Sequence, residues 1–364
     1  MVRRAKSNHD STFGLCVDSA GARLLRLDAK ENKNVGRKKV AITRRAAVLG
    51  LVSAAGIGLA SPLHAQAEFP DRPIRFIVPF AAGGTMDDVA RTVGSEAGKM
   101  LGQPIVVENR PGAGGSSGPA AVAQAKPDGY TLMLAAPTQV PVALALKTKT
   151  SYDAARDFIP VTKLAEEALV VMTSRTILAS TLPEFITYLK AHPGKVNYSS
   201  AGVGSLGHLA GELFKARADV DIQHIPYKGG PAGTFALIAG DVGLSLTSAG
   251  SGSAYFDKIN VLASLGERRI SILPNVPTAI ELGVAGLVVT SWAGVFAPAG
   301  TPPAVVAKLD EAFRKALAVP SVVEALQRLG IEPVSLPPAA FARSLEQDLK
   351  LWTEVVDQAR IVIE

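Results

Sequence analysis

The amino-acid sequence predicts an α/β protein with mostly parallel sheets flanked by helices. Short apolar, β-branched runs such as 74–78 and 105–108 are typical of strands buried on both faces. Segments with helical periodicity alternate with these runs along residues 68–364, as in parallel sheets covered by helices. At 48% hydrophobic and 19% charged residues the composition is globular, and 364 residues suffice for two domains.

The basic charge of the chain lies at its front. Residues 1–67 hold 12 of the 38 Lys and Arg and 4 of the 32 Asp and Glu, a net charge of +8. The remaining 26 basic and 28 acidic residues give 68–364 a net charge of −2. The body therefore lacks the basic surplus of nucleic-acid-binding domains, and no nucleic-acid partner is expected.

Residues 44–67 have the pattern of a secretory signal peptide. An arginine pair, 44–45, precedes the uncharged apolar stretch 46–63, and 65–67 reads Ala-Gln-Ala, a small-x-small cleavage site. We expect cleavage after Ala67 and a periplasmic protein, exported by the general or the twin-arginine route. A membrane anchor is the alternative, although the apolar run is at the lower length limit for a spanning helix.

The first forty residues fit none of this pattern, since a charged extension ahead of a signal peptide is unusual. We expect translation to start near Val35 or Val40 instead. The only cysteine, Cys16, lies in this doubtful segment. The body, 68–364, therefore has no disulfides, thiolate metal sites, cysteine nucleophiles or lipid-anchored cysteine.

The first predicted strand, 74–78, leads directly into a helix. Gly83 and Gly84 allow the sharp turn between them, and Thr85 with Asp88 forms a capping box in the pattern. Apolar, β-rich runs predict the further strands 105–108, 130–134, 158–164, 169–172, 196–199, 222–225, 242–246 and 261–264. Helical periodicity, with breaks at Pro and Gly, predicts helices around 120–123 and at 182–191, 205–216, 231–239, 302–318, 321–329 and 338–359.

One catalytic pattern is present, and it is weak. Residues 114–118 match the G-x-S-x-G motif of serine hydrolases with Ser116 as nucleophile, but a Pro-Gly loop precedes the motif where such enzymes have a strand. The three histidines of the body are not spaced as metal ligands, so a structural role is the expectation for each. The body also has no P-loop and no G-x-G-x-x-G, and no cofactor or metal is expected.

Small, polar, glycine-rich turns at strand ends are the remaining candidates for function. Open α/β sheets bind ligands beyond the carboxyl ends of their strands, where such turns supply N–H and hydroxyl donors that suit a carboxylate. Five turns have this character: 83–85, 138–139, 199–205, 227–230 and 247–248.

Three of these turns, 83–85, 199–205 and 227–230, overlap a larger set of segments that resembles a known family. The segments read FPDRPI (69–74), VPFAAGG (78–84), VENRPGAGG (107–115), PDGYT (127–131), NYSS (197–200), HIPYKG (224–229), LPNVPT (273–278) and SWAGVFAPAGTP (291–302). Their content and order, with Asp87 and His208, are similar to those of the substrate-binding proteins of tripartite tricarboxylate transporters. The resemblance extends over nearly all of residues 68–363.

The resemblance implies a two-lobed periplasmic-binding-protein fold with the ligand cleft between the lobes. One lobe would comprise 68–168 and 292–364, and the other 169–291. In the family, the first strand–helix loop and the facing loop of the second lobe hold a ligand carboxylate. Carried over by motif and by strand-end position, the expected ligand-binding residues are Gly83, Gly84, Thr85, Asp87, Thr138, Ser200, Gly202, Gly204, Ser205 and Thr247.

The same resemblance implies a receptor without catalytic residues. It would deliver a small organic acid to integral membrane permease subunits and act as a monomer. The alternatives are a ligand-sensing partner of a membrane sensor kinase, which would use the same lobe closure, and the secreted hydrolase based on Ser116.

Three departures from the family pattern bear on the ligand. Thr247 and Gly243 stand where acidic residues are common, and 143–144 reads Ala-Leu in place of the usual Asn-Pro. Without an acidic partner a buried ligand ammonium would be costly, which disfavours an amino acid. The sequence therefore favours a ligand with one carboxylate and an apolar or aromatic remainder.

Overall fold

The computed structural model describes residues 68–362 of the 364-residue chain. The N-terminal extension, Cys16, the signal peptide and the predicted cleavage site lie outside these residues. Within this range no helix is long and apolar enough to cross a membrane.

Ten strands and ten helices follow one another within 68–362. In chain order they are β1 (Ile74–Val78), α1 (Thr85–Leu101), β2 (Ile105–Asn109), α2 (Ser117–Ala123), β3 (Thr131–Ala135), α3 (Pro141–Ala145), β4 (Phe158–Thr173), α4 (Leu182–Ala191), β5 (Asn197–Ser200), α5 (Leu206–Ala218), β6 (Gln223–Pro226), α6 (Gly230–Ala239), β7 (Leu244–Ser248), α7 (Ala249–Gly252), β8 (Asn260–Ser264), β9 (Thr290–Pro298), α8 (Pro303–Leu317), α9 (Pro320–Arg328), β10 (Glu332–Leu336) and α10 (Pro338–Ala359).

All ten strands belong to one continuous sheet with two parallel ends. Its order is β2-β1-β3-β9-β4-β7-β5-β6, and β8 and β10 pair with β4. The strands β2, β1 and β3 are parallel, as are β7, β5 and β6. Each end is built from alternating strands and helices, as the sequence predicts, so the carboxyl ends of its strands meet at one edge.

Between the two ends run two long strands, and here the pairing is antiparallel. The strand β4 pairs with β9 from Phe158 to Ala168 and then with β7 and β8 from Leu169 to Thr173. The predicted extended segments 158–164 and 169–172 are both confirmed, but they form one strand, because the backbone of Glu166 and Glu167 continues the ladder with β9. The polar pair interrupts the apolar pattern without interrupting the strand.

Each parallel end of the sheet has its own buried hydrophobic cluster. We call the β2-β1-β3 end the first end and the β7-β5-β6 end the second end, and the larger cluster lies at the second end. Around β1 and β3, side chains from α1 and α8 enclose Phe76 and Phe313, whose ring centroids are 5.7 Å apart. Around β5 and β7, α4 and α5 enclose Phe185 and Phe214. The last helix, α10, adds Trp352 to this second cluster.

Candidate functional site

Two adjoining cavities open where the strands end. The smaller, of about 190 Å³, lies between the strand ends of β5 and β7, the starts of α5 and α6, and the long strands β4 and β9. The larger, of about 610 Å³, is lined by the loops after β1, β2 and β3 and by the turn between β5 and α5. Ala201 and Ser205 line both cavities, so this turn forms their common wall.

The start of α5 supplies hydrogen-bond donors to the smaller cavity. Ser205 caps the helix: its Oγ donates to the Gly202 carbonyl (2.7 Å) and accepts the His208 N–H (3.4 Å). The N–H groups of Leu206 and Gly207 have no acceptor among residues 68–362. Free N–H groups at the positive end of a helix dipole favour a bound anion.

Gly207 brings this helix start against the sheet. A Cβ at this position would lie 2.6 Å from the backbone oxygen of Leu246 on β7, so any side chain would push α5 away. A similar restriction holds across the cavity, where a Cβ on Gly233 of α6 would lie 3.0 Å from Ser199 Oγ. The two helix starts can therefore converge on one small space only with glycines at these contacts.

A pair of stacked imidazoles holds the turn 200–205 in place. The rings of His208 and His224 lie 3.8 Å apart, and His224 Nε2 is 2.7 Å from Ser200 Oγ. The Ser200 hydroxyl donates to the Gly202 carbonyl, and the Gly204 N–H donates to His208 Nδ1 (3.1 Å). This pattern is satisfied when Nε2 of His224 carries the hydrogen and Nδ1 of His208 does not.

The two histidines are neutral at pH 7. Burial lowers the pKa of His208, and burial together with His208 lowers the pKa of His224 to about 4. Both ring nitrogens that face the turn are hydrogen-bonded, as the expected structural role requires. Because the two histidines hold the turn 200–205, which forms the common wall of the two cavities, they also shape the site.

Hydroxyl groups cover much of the remaining wall of the smaller cavity. Thr247 and Ser248 end β7, and Ser291, the second residue of β9, lines the same cavity. Hydroxyls donate to a carboxylate without bringing a charge into the site. Thr247 thus lies near the end of β7 and lines the smaller cavity.

One cavity residue was missed by the sequence argument. Glu167, on β4, is only 6% exposed and lines the smaller cavity. Its Oε1 accepts the Gly250 N–H at 3.0 Å. Burial raises the pKa of this carboxyl to about 7, and the nearby Ser248 hydroxyl and the Gly250 N–H only partly offset the rise. The available signal was an acidic pair, Glu166 and Glu167, in the short gap between two predicted apolar strands.

The larger cavity is mainly apolar. Its apolar walls include Phe80, Leu146 and Val203, and several polar side chains, among them Thr138 and Lys149, also line it. Such a lining matches the usual character of small-molecule sites, in which few polar groups orient a mostly apolar body.

The first strand–helix loop differs from its predicted form. Gly84, not Thr85, is the N-cap of α1, and no side chain caps the helix, so the predicted capping box of Thr85 and Asp88 is wrong. Asp87 braces the loop instead: Oδ2 accepts the Gly83 N–H (2.9 Å) and Arg91 Nε (3.0 Å), while Oδ1 accepts Asn109 Nδ2 (2.9 Å). Asp87 is the third residue of α1 and lies one position nearer the loop than Asp88, so its carboxylate reaches back to the Gly83 N–H.

Asp87 is thereby committed to the protein rather than free for a ligand. Its carboxylate satisfies the Gly83 N–H, but the N–H groups of Gly84, Thr85 and Met86 have no acceptor in the part of the chain that the structure describes. This helix start also has donors to offer, although 83–87 lines neither cavity.

The predicted site residues fall into three groups by position. Ser200, Ser205 and Thr247 line the smaller cavity, and Thr138, Gly204 and Ser205 line the larger. Outside both linings lie Gly83, Gly84, Thr85, Asp87 and Gly202. Gly202 nevertheless belongs to the shared turn, where its carbonyl accepts from Ser200 and Ser205.

Ser116 lacks the surroundings of a hydrolase nucleophile. Its Oγ donates to the Ala113 carbonyl (2.7 Å) in a short 3-10 turn. The histidines of residues 68–362 are bonded elsewhere: His192 contacts the Tyr188 carbonyl, and the other two form the stacked pair. Gly118 of the same motif has a packing role, since a Cβ there would lie 2.9 Å from Pro79.

Comparison with known proteins identifies the family. Residues 89–361 match the family described as the tripartite tricarboxylate transporter family receptor. The chain belongs to this family. It is one of solute-binding receptors, and its members work with the membrane subunits of tripartite transporters.

Solved structures show the same fold. The periplasmic binding protein BugD is 30% identical, with a TM-score of 0.68 over 81% of this chain and 100% of that one. MatC from Rhodopseudomonas palustris with bound malate is 34% identical, with a TM-score of 0.67 over 79% of this chain and 100% of that one. A second R. palustris protein, with adipate, is 30% identical, with a TM-score of 0.69 over 81% and 99%. The chain therefore has the two-lobed fold of periplasmic binding proteins.

No metal centre is formed by the residues that the structure describes. Within 68–362 no group of three or more His, Cys, Asp or Glu side chains is placed to hold a metal ion. The chemistry that this arrangement offers is hydrogen bonding to an anion at the smaller cavity and apolar contact in the larger.

Proposed function

We propose that this receptor captures a small organic carboxylate in the periplasm and delivers it to the membrane subunits of a tripartite transporter. The observation that carries the proposal is the smaller cavity, where the free N–H groups of Leu206 and Gly207 and the Thr247 hydroxyl converge. Such donors stabilise a carboxylate without any catalytic group. Closure of 169–291 against 68–168 and 292–364, by bending at β4 and β9, would then remove the ligand from water.

The ligand we propose has one carboxylate in the smaller cavity and an apolar or aromatic remainder in the larger. Support comes from the apolar walls around Phe80, Leu146 and Val203. Lys149, exposed at the larger cavity, could also meet a second carboxylate, as in the malate and adipate bound by the two R. palustris proteins. The sequence argument against an amino-acid ligand rested on the lack of an acidic residue at position 247. Glu167 weakens that argument, because it places an acid in the smaller cavity.

A thermal-shift screen of residues 68–364 tests the receptor function. The panel contains mono-, di- and tricarboxylates, aromatic acids and amino acids. At a ligand concentration of one hundred times Kd, binding adds about 2.7 kcal/mol to the free energy of unfolding, which raises Tm by several degrees. Failure of every acid in the panel to raise Tm would contradict the proposal.

A matched pair of variants tests the site. Thr247→Val removes one hydroxyl from the cavity and keeps the shape of the side chain. We expect Kd for the best acid to rise about tenfold, which corresponds to the loss of one hydrogen bond to a charged group. Thr187→Val removes a hydroxyl on α4 that donates only to the Pro183 carbonyl and should leave Kd unchanged. Equal Kd values for Thr247→Val and the unaltered protein would remove Thr247 from the site.

Export with cleavage after Ala67 is part of the same proposal. N-terminal sequencing of the protein recovered from the periplasm should begin at Glu68. Retention of residues 44–63 in a membrane fraction would instead favour the anchor.

A further inference from the structure

Glu167 occupies an unusual place for an acidic residue. It lies on β4, directly across from Ser291 of β9, on the strands that join the two ends of the sheet. Gly250 uses only one of its oxygens. Oε2 accepts no hydrogen bond among residues 68–362 and is not one of the fully enclosed unpaired atoms there, and Glu167 lines the smaller cavity.

No cation of the described residues neutralises this carboxyl. The Ser248 hydroxyl beside it donates to Ser251 Oγ (2.8 Å), and Ser291 of β9 is uncharged. The charged side chains of the surrounding elements are engaged elsewhere or lie at another surface. Lys163 pairs with Glu166, Asp348 of α10 accepts Trp292 Nε1–H, Glu332 of β10 accepts the Ser271 N–H, and Arg268 lines a separate groove.

The cavity thus offers an anion two kinds of neighbour. On one side are the uncharged donors of α5 and the hydroxyl of Thr247, and on the other is the carboxyl of Glu167. A space of about 190 Å³ holds a ligand carboxylate close to Glu167. Two carboxylates sharing a site cannot both be ionised at low cost, and the pair retains one proton.

We propose that Glu167 binds the ligand carboxylate through a shared proton, so that the filled smaller cavity holds one proton for each captured anion. This inference rests on the proposed function. The helix donors keep the ligand ionised, while Glu167, which lacks a cation, keeps the proton and donates it from Oε2. The proton comes from solvent, and no covalent bond changes.

A purely structural role for Glu167 predicts a different result. As a partner of the Gly250 N–H, the residue needs only an acceptor oxygen, which glutamine also provides. Glu167→Gln therefore preserves the contact with α7 and removes only the titration. If the role is structural, the variant binds as the unaltered protein does at every pH.

Isothermal titration calorimetry of residues 68–364 with malate, adipate and benzoate measures the proton directly. Titrations at pH 6, 7 and 8, in two buffers of different ionisation enthalpy, give the number of protons taken up per ligand. With the pKa of free Glu167 near 7, uptake should rise from about 0.1 at pH 6 to about 0.9 at pH 8, and Kd should rise about tenfold over that range. Glu167→Gln should show no uptake and a Kd that is constant within about twofold.

Glu311→Gln, on the surface of α8, is the matched control and should behave as the unaltered protein. Binding without proton uptake in the unaltered protein, or undiminished uptake in Glu167→Gln, overturns the inference and leaves the receptor function standing. If only an amino acid binds, without uptake, and Glu167→Gln abolishes that binding, Glu167 is an ionised partner of an ammonium and the inference falls. If no acid of the thermal-shift panel, including these three, binds at pH 6, both proposals fall.

Discussion

Asp87 provides a direct test of how the first loop is held. It is 3% exposed, and its carboxylate accepts hydrogen bonds from the Gly83 N–H, Arg91 and Asn109. Burial by itself raises the pKa of Asp87, but the bonds from Arg91, Gly83 and Asn109 together outweigh it and lower the pKa from 3.8 to about 2. We expect Asp87→Asn to destabilise the protein, because the amide keeps one acceptor and loses the charge.

The size of the loss follows from the lowered pKa. At about 1.4 kcal/mol for each pH unit, the interaction contributes about 2.4 kcal/mol at most. Because the Arg91 side chain is 52% exposed, solvent screens its part, and about 1 to 2 kcal/mol is expected at pH 7. A lowered carboxyl pKa stabilises the folded state above pH 4, and this contribution disappears as the pH falls from about 4 to about 2.

Urea unfolding followed by circular dichroism measures the effect. At pH 7 the midpoint of Asp87→Asn should lie about 0.3 to 0.7 M below that of the unaltered protein, and the gap should narrow at pH 3.5. Asp88→Asn, in the same first turn, loses its interaction with the helix dipole and a through-space attraction to Arg91, and should cost about 0.5 kcal/mol. Equal losses at the two positions, or a gap independent of pH, would refute the proposed hydrogen-bonded brace.

Two further predictions concern the second end of the sheet. Gly207→Ala should lower the free energy of unfolding by about 1 to 3 kcal/mol, because its Cβ would lie 2.6 Å from the Leu246 oxygen. Gly230→Ala is the control, since the nearest atom to its added Cβ would be 3.9 Å away. Equal Tm values for the two variants would contradict the predicted clash at Gly207. The lowered pKa of His224, about 4, predicts that stability falls as the pH drops from about 6.5 to about 4, since the unfolded chain takes up the proton first. That loss should be smaller in His224→Gln, and an unchanged pH profile of urea unfolding would show that His224 does not titrate as described.

Sequence patterns located most elements because apolar runs and helix signals are local. The predicted bounds of α4 and α10 agree with the structure, and most other elements agree within a few residues. By contrast, β10 was not predicted, since Glu332–Leu336 is short and only partly buried. The strand β9 carries the motif at 291–302 but was not assigned from periodicity, because its glycine and proline weaken a strand pattern.

The candidate site was less accessible to sequence reasoning than the fold. Glycine-rich turns are visible locally, and they led to Ser200, Ser205 and Thr247. The place of Glu167 depends on Gly250, 83 residues further along the chain, which no local pattern reports. The stacking of His208 on His224 likewise arises only because β6 pairs with β5.

The pairing of β3 with β9 has a consequence for synthesis. Met133 of β3 lies opposite Phe296 of β9. The edge of β3 therefore has no partner until β9 is synthesised, more than 150 residues later. Until then the chain carries an exposed strand edge, which is a template for pairing with other chains. Contacts so distant in sequence also make folding slow, because a long loop must close before they form. A chain cut at residue 289 would lack β9 and every later element, so the edge of β3 would stay unpaired and the fragment should aggregate.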